Sequence, residues 1–139
     1  MINRKSQSYA VLVKFSEAID SSVGRRWADL LVSEHHALTV MRERQHLAAE
    51  TNLVLTENRV FLEVTRFDRV GAFGRLGLIS LGAIDDEFIG ERRDWLSTAQ
   101  RLYAIGYLDQ SAVDAVAWQQ AFAIFIGNND RHFGNLSLH

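Results

Sequence analysis

The chain contains no cysteine and no proline. The absence of cysteine excludes disulfide frameworks and thiolate metal centres. Average proline usage of about 5% would give roughly seven in such a chain, so proline-rich linkers are excluded as well. No apolar run approaches the roughly 18 residues that a membrane span requires. The first residues, MINRKSQSY, also lack the apolar core of a signal peptide.

The sequence also has no large excess of positive or negative charge. The sequence has 15 basic and 17 acidic residues among 139, with a formal net charge of -2. Such a balance gives no global field for nucleic acid, and the pairs Arg25-Arg26 and Arg92-Arg93 are too sparse for a basic stripe. We therefore expect no direct nucleic-acid binding and no membrane binding. Hydrophobic residues make up 47% of the chain, which suits a globular, soluble and cytoplasmic protein.

The pattern of apolar residues predicts an α+β fold. Sheet-like sequence and one helix fill the first half, and helices dominate the second half, so we predict two lobes. The predicted elements are a strand over 9–15, a helix over about 25–48, a hairpin of 53–55 with 60–67, an apolar run over 78–81, helices over about 92–105 and 110–126, and a strand beginning at 136.

Two apolar surfaces are predicted to be buried. The first is a stripe along the first helix, formed by Trp27, Leu30, Leu31, Leu38 and Met41. The second is the nearly all-apolar end of the last helix, residues 121–126, because a helix that is apolar all round belongs in a core.

A dense polar segment, Asn128 to Asn135, follows that apolar helix end at once. Asp130 and Asn135 are five residues apart, the spacing of the aspartate and asparagine in the catalytic loop of protein kinases. A carboxylate there can accept the proton of an attacking hydroxyl, and an amide oxygen can hold a hard cation beside phosphates. The alternative is a polar turn whose side chains only cap backbone groups.

Lys14 and Glu34 form a second candidate pair. Lys14 ends an apolar strand, where a lysine alone most simply extends its ammonium into water. Glu34, however, falls within the apolar stripe of the first helix, and a carboxylate on a buried face needs a cation. We therefore predict an ion pair between strand and helix, as in kinases. The alternative is that Glu34 lies at the edge of the stripe and meets solvent.

Other candidates are weaker. The glycine-rich segment 71–77 lacks the lysine of a phosphate-binding loop, so we interpret it as a turn. His35, His36 and His46 lack partners at metal-ligand spacing and are interpreted as surface residues. A metal-dependent nuclease using Asp130 and His132 has no basic face to support it.

Several segments together resemble the HipA-like serine/threonine kinases, the toxins of bacterial toxin–antitoxin pairs. They are VLVKFS at 11–16, RWADLL at 26–31, RFDR at 66–69 and IGNNDRH at 126–132, of which the last is the most specific. The resemblance implies a two-lobed protein-kinase-like (HipA-type) fold, truncated at both ends. A partial N-lobe would occupy residues 1–67, and a partial, mainly helical C-lobe would occupy 68–139 and end just after the catalytic loop.

The resemblance also implies ATP- and Mg²⁺-dependent phosphoryl transfer to a protein hydroxyl. Protein substrates of the best-known kind are aminoacyl-tRNA synthetases, and an antitoxin is the expected partner. The implied roles are Asp130 as catalytic base, Asn135 as Mg²⁺ ligand, Lys14 on the phosphates with Glu34 positioning it, His132 in the nucleotide pocket, and Thr65, Arg66 and Phe67 as the hinge strand against adenine.

Two departures from the kinase pattern shape a further expectation. Residues 1–13 contain no glycine where a Gly-rich segment is expected, and residues 136–139 contain no second metal-binding aspartate. We therefore expect feeble phosphate transfer by the isolated chain, and self-association that covers strand edges. The alternative is a catalytically silent kinase-like module that binds a partner protein such as an antitoxin.

Overall fold

The computed structural model describes residues 2–4, 7–71 and 73–139, with side chains from residue 9 onward. The chain divides into two compact units, residues 1–76 and 77–139, which we call the N-terminal unit and the C-terminal unit. Both contain helix and strand, so the predicted α+β class is confirmed. Within the described ranges, no helix is long and apolar enough to cross a membrane.

The N-terminal unit consists of short strands and one long helix. Its elements are β1 (Ile2–Arg4), β2 (Gln7–Tyr9), β3 (Val11–Phe15), α1 (Ser22–Glu43), β4 (Thr51–Leu55), β5 (Val60–Thr65), β6 (Arg69–Val70) and β7 (Gly74–Arg75). Strands β3, β5 and β4 form an antiparallel sheet in that order, and β1 pairs with β2 and β6 with β7. The predicted hairpin is the β4–β5 pair.

Helix α1 begins at a tightly packed cap. The Ser21 hydroxyl accepts a hydrogen bond from the Gly24 backbone N–H at 2.9 Å. A Cβ on Gly24 would lie 1.9 Å from the Ala18 carbonyl oxygen, so no larger residue fits there without moving the backbone. The buried residues of α1 are Gly24, Ala28 and Leu31, of which Ala28 and Leu31 pack with Val60 and Leu62 of β5.

The predicted apolar stripe of α1 is therefore partly wrong. Trp27 and Leu30 are 53% and 50% exposed, whereas Leu31 is only 4% exposed. A three-stranded sheet covers one narrow line of a helix, and here that line contains the small residue Ala28 and Leu31, while Gly24 packs on the Ala18 carbonyl. The periodicity predicted a buried stripe that includes Trp27 and Leu30, whereas the buried residues of α1 are Gly24, Ala28 and Leu31.

The C-terminal unit contains β8 (Ile79–Ser80), α2 (Leu81–Phe88), α3 (Trp95–Ala104), α4 (Gln110–Phe125) and β9 (Ser137–Leu138), with β8 antiparallel to β9. Helices α3 and α4 and the strand at β9 match the predicted elements, but α2 was not predicted. The buried core is shared by all three helices: Leu81, Ile84, Trp95, Ala99, Leu102, Val113 and Val116.

The end of α4 corrects a second expectation. Ala123 is 7% exposed, but Ile124 and Phe125 are 56% and 87% exposed, so the segment 121–126 is not buried all round. Helix α4 packs on α3. Among the described residues, its buried positions are Val113, Val116 and Ala123, which lie toward one side only. Ile124 and Phe125 are exposed because no described element covers them.

Candidate functional site

Lys14 and Glu34 form the predicted ion pair. Lys14 lies opposite Leu62 in the β3–β5 ladder and shares its face of the sheet, which packs on α1. The Lys14 ammonium donates to both carboxylate oxygens of Glu34, at 2.7 and 2.9 Å. The side chains are 51% and 34% exposed, and a pair with that exposure adds little stability. The arrangement holds an accessible ammonium in one position, which suits contact with an anionic ligand.

Two of the three predicted hinge residues, 65–67, donate their backbone N–H groups within the chain. The Thr65 N–H donates to the Glu50 carbonyl at 2.8 Å, and the Arg66 N–H donates to the Ala10 carbonyl at 2.9 Å. Among the residues that the structure describes, none accepts a hydrogen bond from the Phe67 N–H. The Phe67 side chain is 60% exposed. Of the three predicted hinge residues, Phe67 therefore offers the N–H available to a ligand.

The side chain of Arg66 is held within the chain. Its guanidinium donates from Nε to Asp68 Oδ1 at 2.8 Å and from a second nitrogen to the other carboxylate oxygen. This hydrogen bonding lowers the pKa of the Asp68 carboxyl and raises the pKa of the Arg66 guanidinium. The bidentate contact fixes the turn after β5, so Arg66 contributes to the shape of this segment.

The polar loop begins at a left-handed glycine that ends α4. Gly127 has a φ of 69°, which suits glycine, and it turns the chain away from the helix axis. Asn128 then closes the first turn, because its Oδ1 accepts from the Asp130 N–H at 2.9 Å and its carbonyl accepts from Arg131 Nε at 2.8 Å. The loop thus contains backbone-capping contacts of the kind that the alternative interpretation predicted, and Asn128 makes the first of them.

Asp130 and Asn135 are joined across the loop. The Asn135 side-chain amide donates to the Asp130 carbonyl oxygen at 2.5 Å, and the Asn135 N–H donates to the His132 carbonyl at 3.0 Å. The amide nitrogen is thereby engaged, which leaves Asn135 Oδ1 as an acceptor. The Asp130 side chain is 85% exposed, and no described residue donates a conventional hydrogen bond to its carboxylate. The Asp130 carboxylate and the Asn135 amide oxygen are therefore both accessible to a ligand.

His132 is adjacent to the carboxylate. Its Nδ1 accepts from the Gly134 N–H at 3.1 Å, so a neutral imidazole carries its proton on Nε2. This Nε2 lies 3.8 Å from Asp130 Oδ1. This distance is longer than a hydrogen bond.

Helix α2 anchors the far side of this loop. The Leu81 N–H donates to the Leu136 carbonyl at 2.8 Å, and the Gly82 N–H donates to the Phe133 carbonyl at 3.2 Å. A Cβ on Gly82 would lie 3.3 Å from the Phe133 Cβ, so the close approach favours glycine. Sequence reasoning missed this support together with α2. The signal that could have found it is the N-cap Ser80, whose hydroxyl accepts from the Ala83 N–H at 3.2 Å.

The candidate residues fall in both units. Lys14, Glu34 and the segment 65–67 belong to the N-terminal unit, and the loop 128–135 belongs to the C-terminal unit. That Lys14 and Asp130 face one cleft stays a prediction. In the described part of the chain, no three His, Asp or Glu side chains cluster as a metal centre. Mg²⁺ beside nucleotides commonly takes only one or two protein ligands, and the free oxygen of Asn135 fits that role.

The comparisons with known proteins identify the family. The family model for the HipA-like C-terminal domain matches residues 2–139, and the chain therefore belongs to this family. The toxin YjjJ of Escherichia coli (strain K12) is 38% identical over 130 residues, which are 93% of this chain. Those residues cover 29% of that protein, so the chain spans less than a third of its relative. No solved structure matches significantly. The resemblance inferred from the sequence is confirmed.

Proposed function

We propose that this chain is the nucleotide-binding and catalytic portion of a HipA-type serine/threonine protein kinase. Its two units would be the lobes of a kinase-like fold, and the kinase would act as the toxin of a toxin–antitoxin pair. The observation that carries the proposal is the loop 128–135, where the Asp130 carboxylate and the Asn135 amide oxygen are both free on an anchored backbone. Membership of the HipA-like family and the similarity to a protein named as a toxin support it.

The N-terminal unit would bind ATP. The Lys14 ammonium, held by Glu34, would neutralise phosphate charge, and the Phe67 N–H would donate to the adenine ring. His132 would line the nucleotide pocket beside Asn135. Asn135 would hold Mg²⁺ through its free amide oxygen, and the ion would supply positive charge that phosphoryl transfer needs.

Asp130 would act on the protein substrate. Its carboxylate would orient a serine or threonine hydroxyl and accept its proton, while the hydroxyl oxygen bonds to the γ-phosphorus and ADP leaves. An exposed carboxylate can be reached by a macromolecular substrate, for which an aminoacyl-tRNA synthetase is our candidate.

A catalytically silent module that binds an antitoxin is the second candidate function. The observation that favours it is the exposure of the Asp130 side chain, 85%, because no described residue donates a hydrogen bond that would hold its carboxylate in a catalytic orientation. Such a chain would keep the residues of the site and would transfer no phosphate.

A transfer experiment distinguishes these two functions. The chain is incubated with ATP and Mg²⁺, alone and with an added protein acceptor, and phosphoserine and phosphothreonine are mapped by mass spectrometry. We expect weak transfer that Asp130→Asn abolishes and that the matched control Asp114→Asn, on the exposed side of α4, leaves unchanged. Absence of transfer despite retained ATP binding would favour the silent module.

A further inference from the structure

The Asp130 carboxylate is not held by contacts of its own side chain. That side chain is 85% exposed, and the distance of 3.8 Å from its Oδ1 to His132 Nε2 is longer than a hydrogen bond. A general base must nevertheless be aimed at the hydroxyl that it deprotonates, since misplacement by about 1 Å can cost roughly a hundredfold in rate. The direction of this carboxylate therefore depends on the backbone of Asp130 and on the groups that bind that backbone.

Two side-chain amides bind the backbone of Asp130. Asn128 Oδ1 accepts from the Asp130 N–H at 2.9 Å, and the Asn135 amide donates to the Asp130 carbonyl oxygen at 2.5 Å. Asn128 stands at the α4 end of the loop 128–135, and Asn135 stands at the other end. Asp130 is thus bound from both ends of the loop, through backbone atoms that leave its carboxylate free.

Asn128 is itself anchored on a buried part of α4. Its N–H donates to the Ala123 carbonyl at 2.9 Å, and Ala123 is only 7% exposed. Such a hydrogen bond, made by the residue after the left-handed Gly127, ends a helix in the Schellman motif. The Asn128 carbonyl also accepts from Arg131 Nε at 2.8 Å. Asn128 therefore connects the end of α4 directly to Asp130 and to Arg131.

The neighbouring Asn129 differs from Asn128 in its contacts. It has the same side chain, belongs to the same loop and is exposed like Asn128. Among the residues that the structure describes, however, none forms a hydrogen bond with the Asn129 side chain. The connection between α4 and Asp130 is therefore made by Asn128 in particular, and Asn129 supplies a matched position at which the same amide can be removed.

We propose that Asn128 is a positioning residue for phosphoryl transfer, which fixes the backbone of Asp130 relative to α4 while the carboxylate stays free to meet a substrate hydroxyl. Asparagine suits this task because its side-chain oxygen reaches the N–H two residues further on, as in an Asx turn. The effect on the reaction rests on the kinase function proposed above, whereas the hold on the backbone does not depend on it.

The backbone order of Asp130 tests this hold without requiring catalysis. Relaxation of the ¹⁵N-labelled chain gives an order parameter for each amide, about 0.85 for a rigid backbone and below about 0.6 for a flexible one. We expect Asp130 to lie near the rigid value in the original chain and below about 0.6 in Asn128→Ala. Asn128→Asp keeps the acceptor oxygen and should restore most of the order, and Asn129→Ala should leave it unchanged.

Steady-state transfer kinetics test the effect on the reaction, and the dispersion of each NMR spectrum shows that the variant is folded. We expect Asn128→Ala to lower kcat by about ten- to a hundredfold with the KM for ATP unchanged, and Asn128→Asp to recover most of kcat. An unchanged order parameter of Asp130 in Asn128→Ala, an equal loss in Asn129→Ala, or an unchanged kcat would overturn the proposal. Loss of order in a chain that transfers no phosphate would support the hold on Asp130 and count against the kinase function alone.

Discussion

Asp85 is the polar residue on which we expect the stability of the C-terminal unit to depend most. It is fully buried, and its Oδ1 accepts from the backbone N–H groups of Glu91 and Arg92 at 3.0 and 2.9 Å. Its Oδ2 accepts from the Thr98 hydroxyl at 2.5 Å, and Thr98 is 2% exposed. One side chain thus satisfies three donors and ties the turn after α2 to the middle of α3.

The substitution Asp85→Ala leaves these donors without their acceptor. An unsatisfied buried polar group costs about 1–3 kcal/mol. The hydroxyl of Thr98 cannot reach solvent, whereas the N–H groups of the exposed residues Glu91 and Arg92 can recover part of the loss from water. The lost hydrogen bonds and the small cavity that forms should together lower the free energy of unfolding by about 3–5 kcal/mol.

Urea denaturation followed by tryptophan fluorescence measures this change, with Trp95 and Trp118 reporting on the C-terminal unit. The neighbouring Asp86→Ala is the matched control, since Asp86 is exposed and its carboxylate binds only the Arg92 guanidinium. We expect a much smaller change for it. If the two variants shifted the midpoint equally, the buried hydrogen bonds of Asp85 would not be a source of stability.

Three other predictions follow from burial, ionisation and close packing. Leu102→Ala should lower the free energy of unfolding by about 2–5 kcal/mol, whereas Phe125→Ser should be nearly neutral in the same denaturation assay; comparable losses would contradict the burial described here. The lowered pKa of the Asp94 carboxyl stabilises the fold at pH values above the ordinary carboxyl pKa of about 3.9. This stabilisation is lost as the pH falls through the lower pKa of the folded state. Denaturation from pH 5 to pH 2 should therefore show a weaker pH dependence in Asp94→Ala, and an unchanged slope would refute the assignment. Gly82→Val should speed hydrogen exchange of the amides in 130–135 more than Gly90→Ala does, and equal protection would show that α2 does not hold the loop.

Local patterns predicted much of the N-terminal unit. The hairpin β4–β5 follows from two apolar runs around a polar turn, and the pair Lys14–Glu34 follows from a charge on an otherwise apolar helix face. Which line of α1 is buried did not follow, because that depends on Gly24 packing against Ala18 and on Ala28 packing against β5. Small residues add little to the hydrophobic pattern of a sequence, so that pattern does not reveal where they pack closely.

The C-terminal unit shows where sequence reasoning was insufficient. The run 78–81 predicted a short strand, which β8 confirms at Ile79–Ser80. Helix α2 was missed, because it has only eight residues and its first turn contains glycine. The exposed end of α4 was wrongly predicted to be buried, since apolar composition does not reveal how many neighbours a helix has. The spacing of Asp130 and Asn135 was recognisable, but the support that their loop receives from Gly82 depends on contacts between distant segments.

The central claim is that this chain binds ATP with Mg²⁺ through Lys14 and Asn135. Isothermal titration with ATP, in the presence and absence of Mg²⁺, tests it most directly. We predict saturable binding that Mg²⁺ strengthens, that Lys14→Met weakens at least about tenfold, and that loses its Mg²⁺ dependence in Asn135→Ala. The charge-matched Arg44→Gln should bind like the original chain. No saturable binding, or binding that Lys14→Met and Asn135→Ala both leave unchanged, would contradict the account.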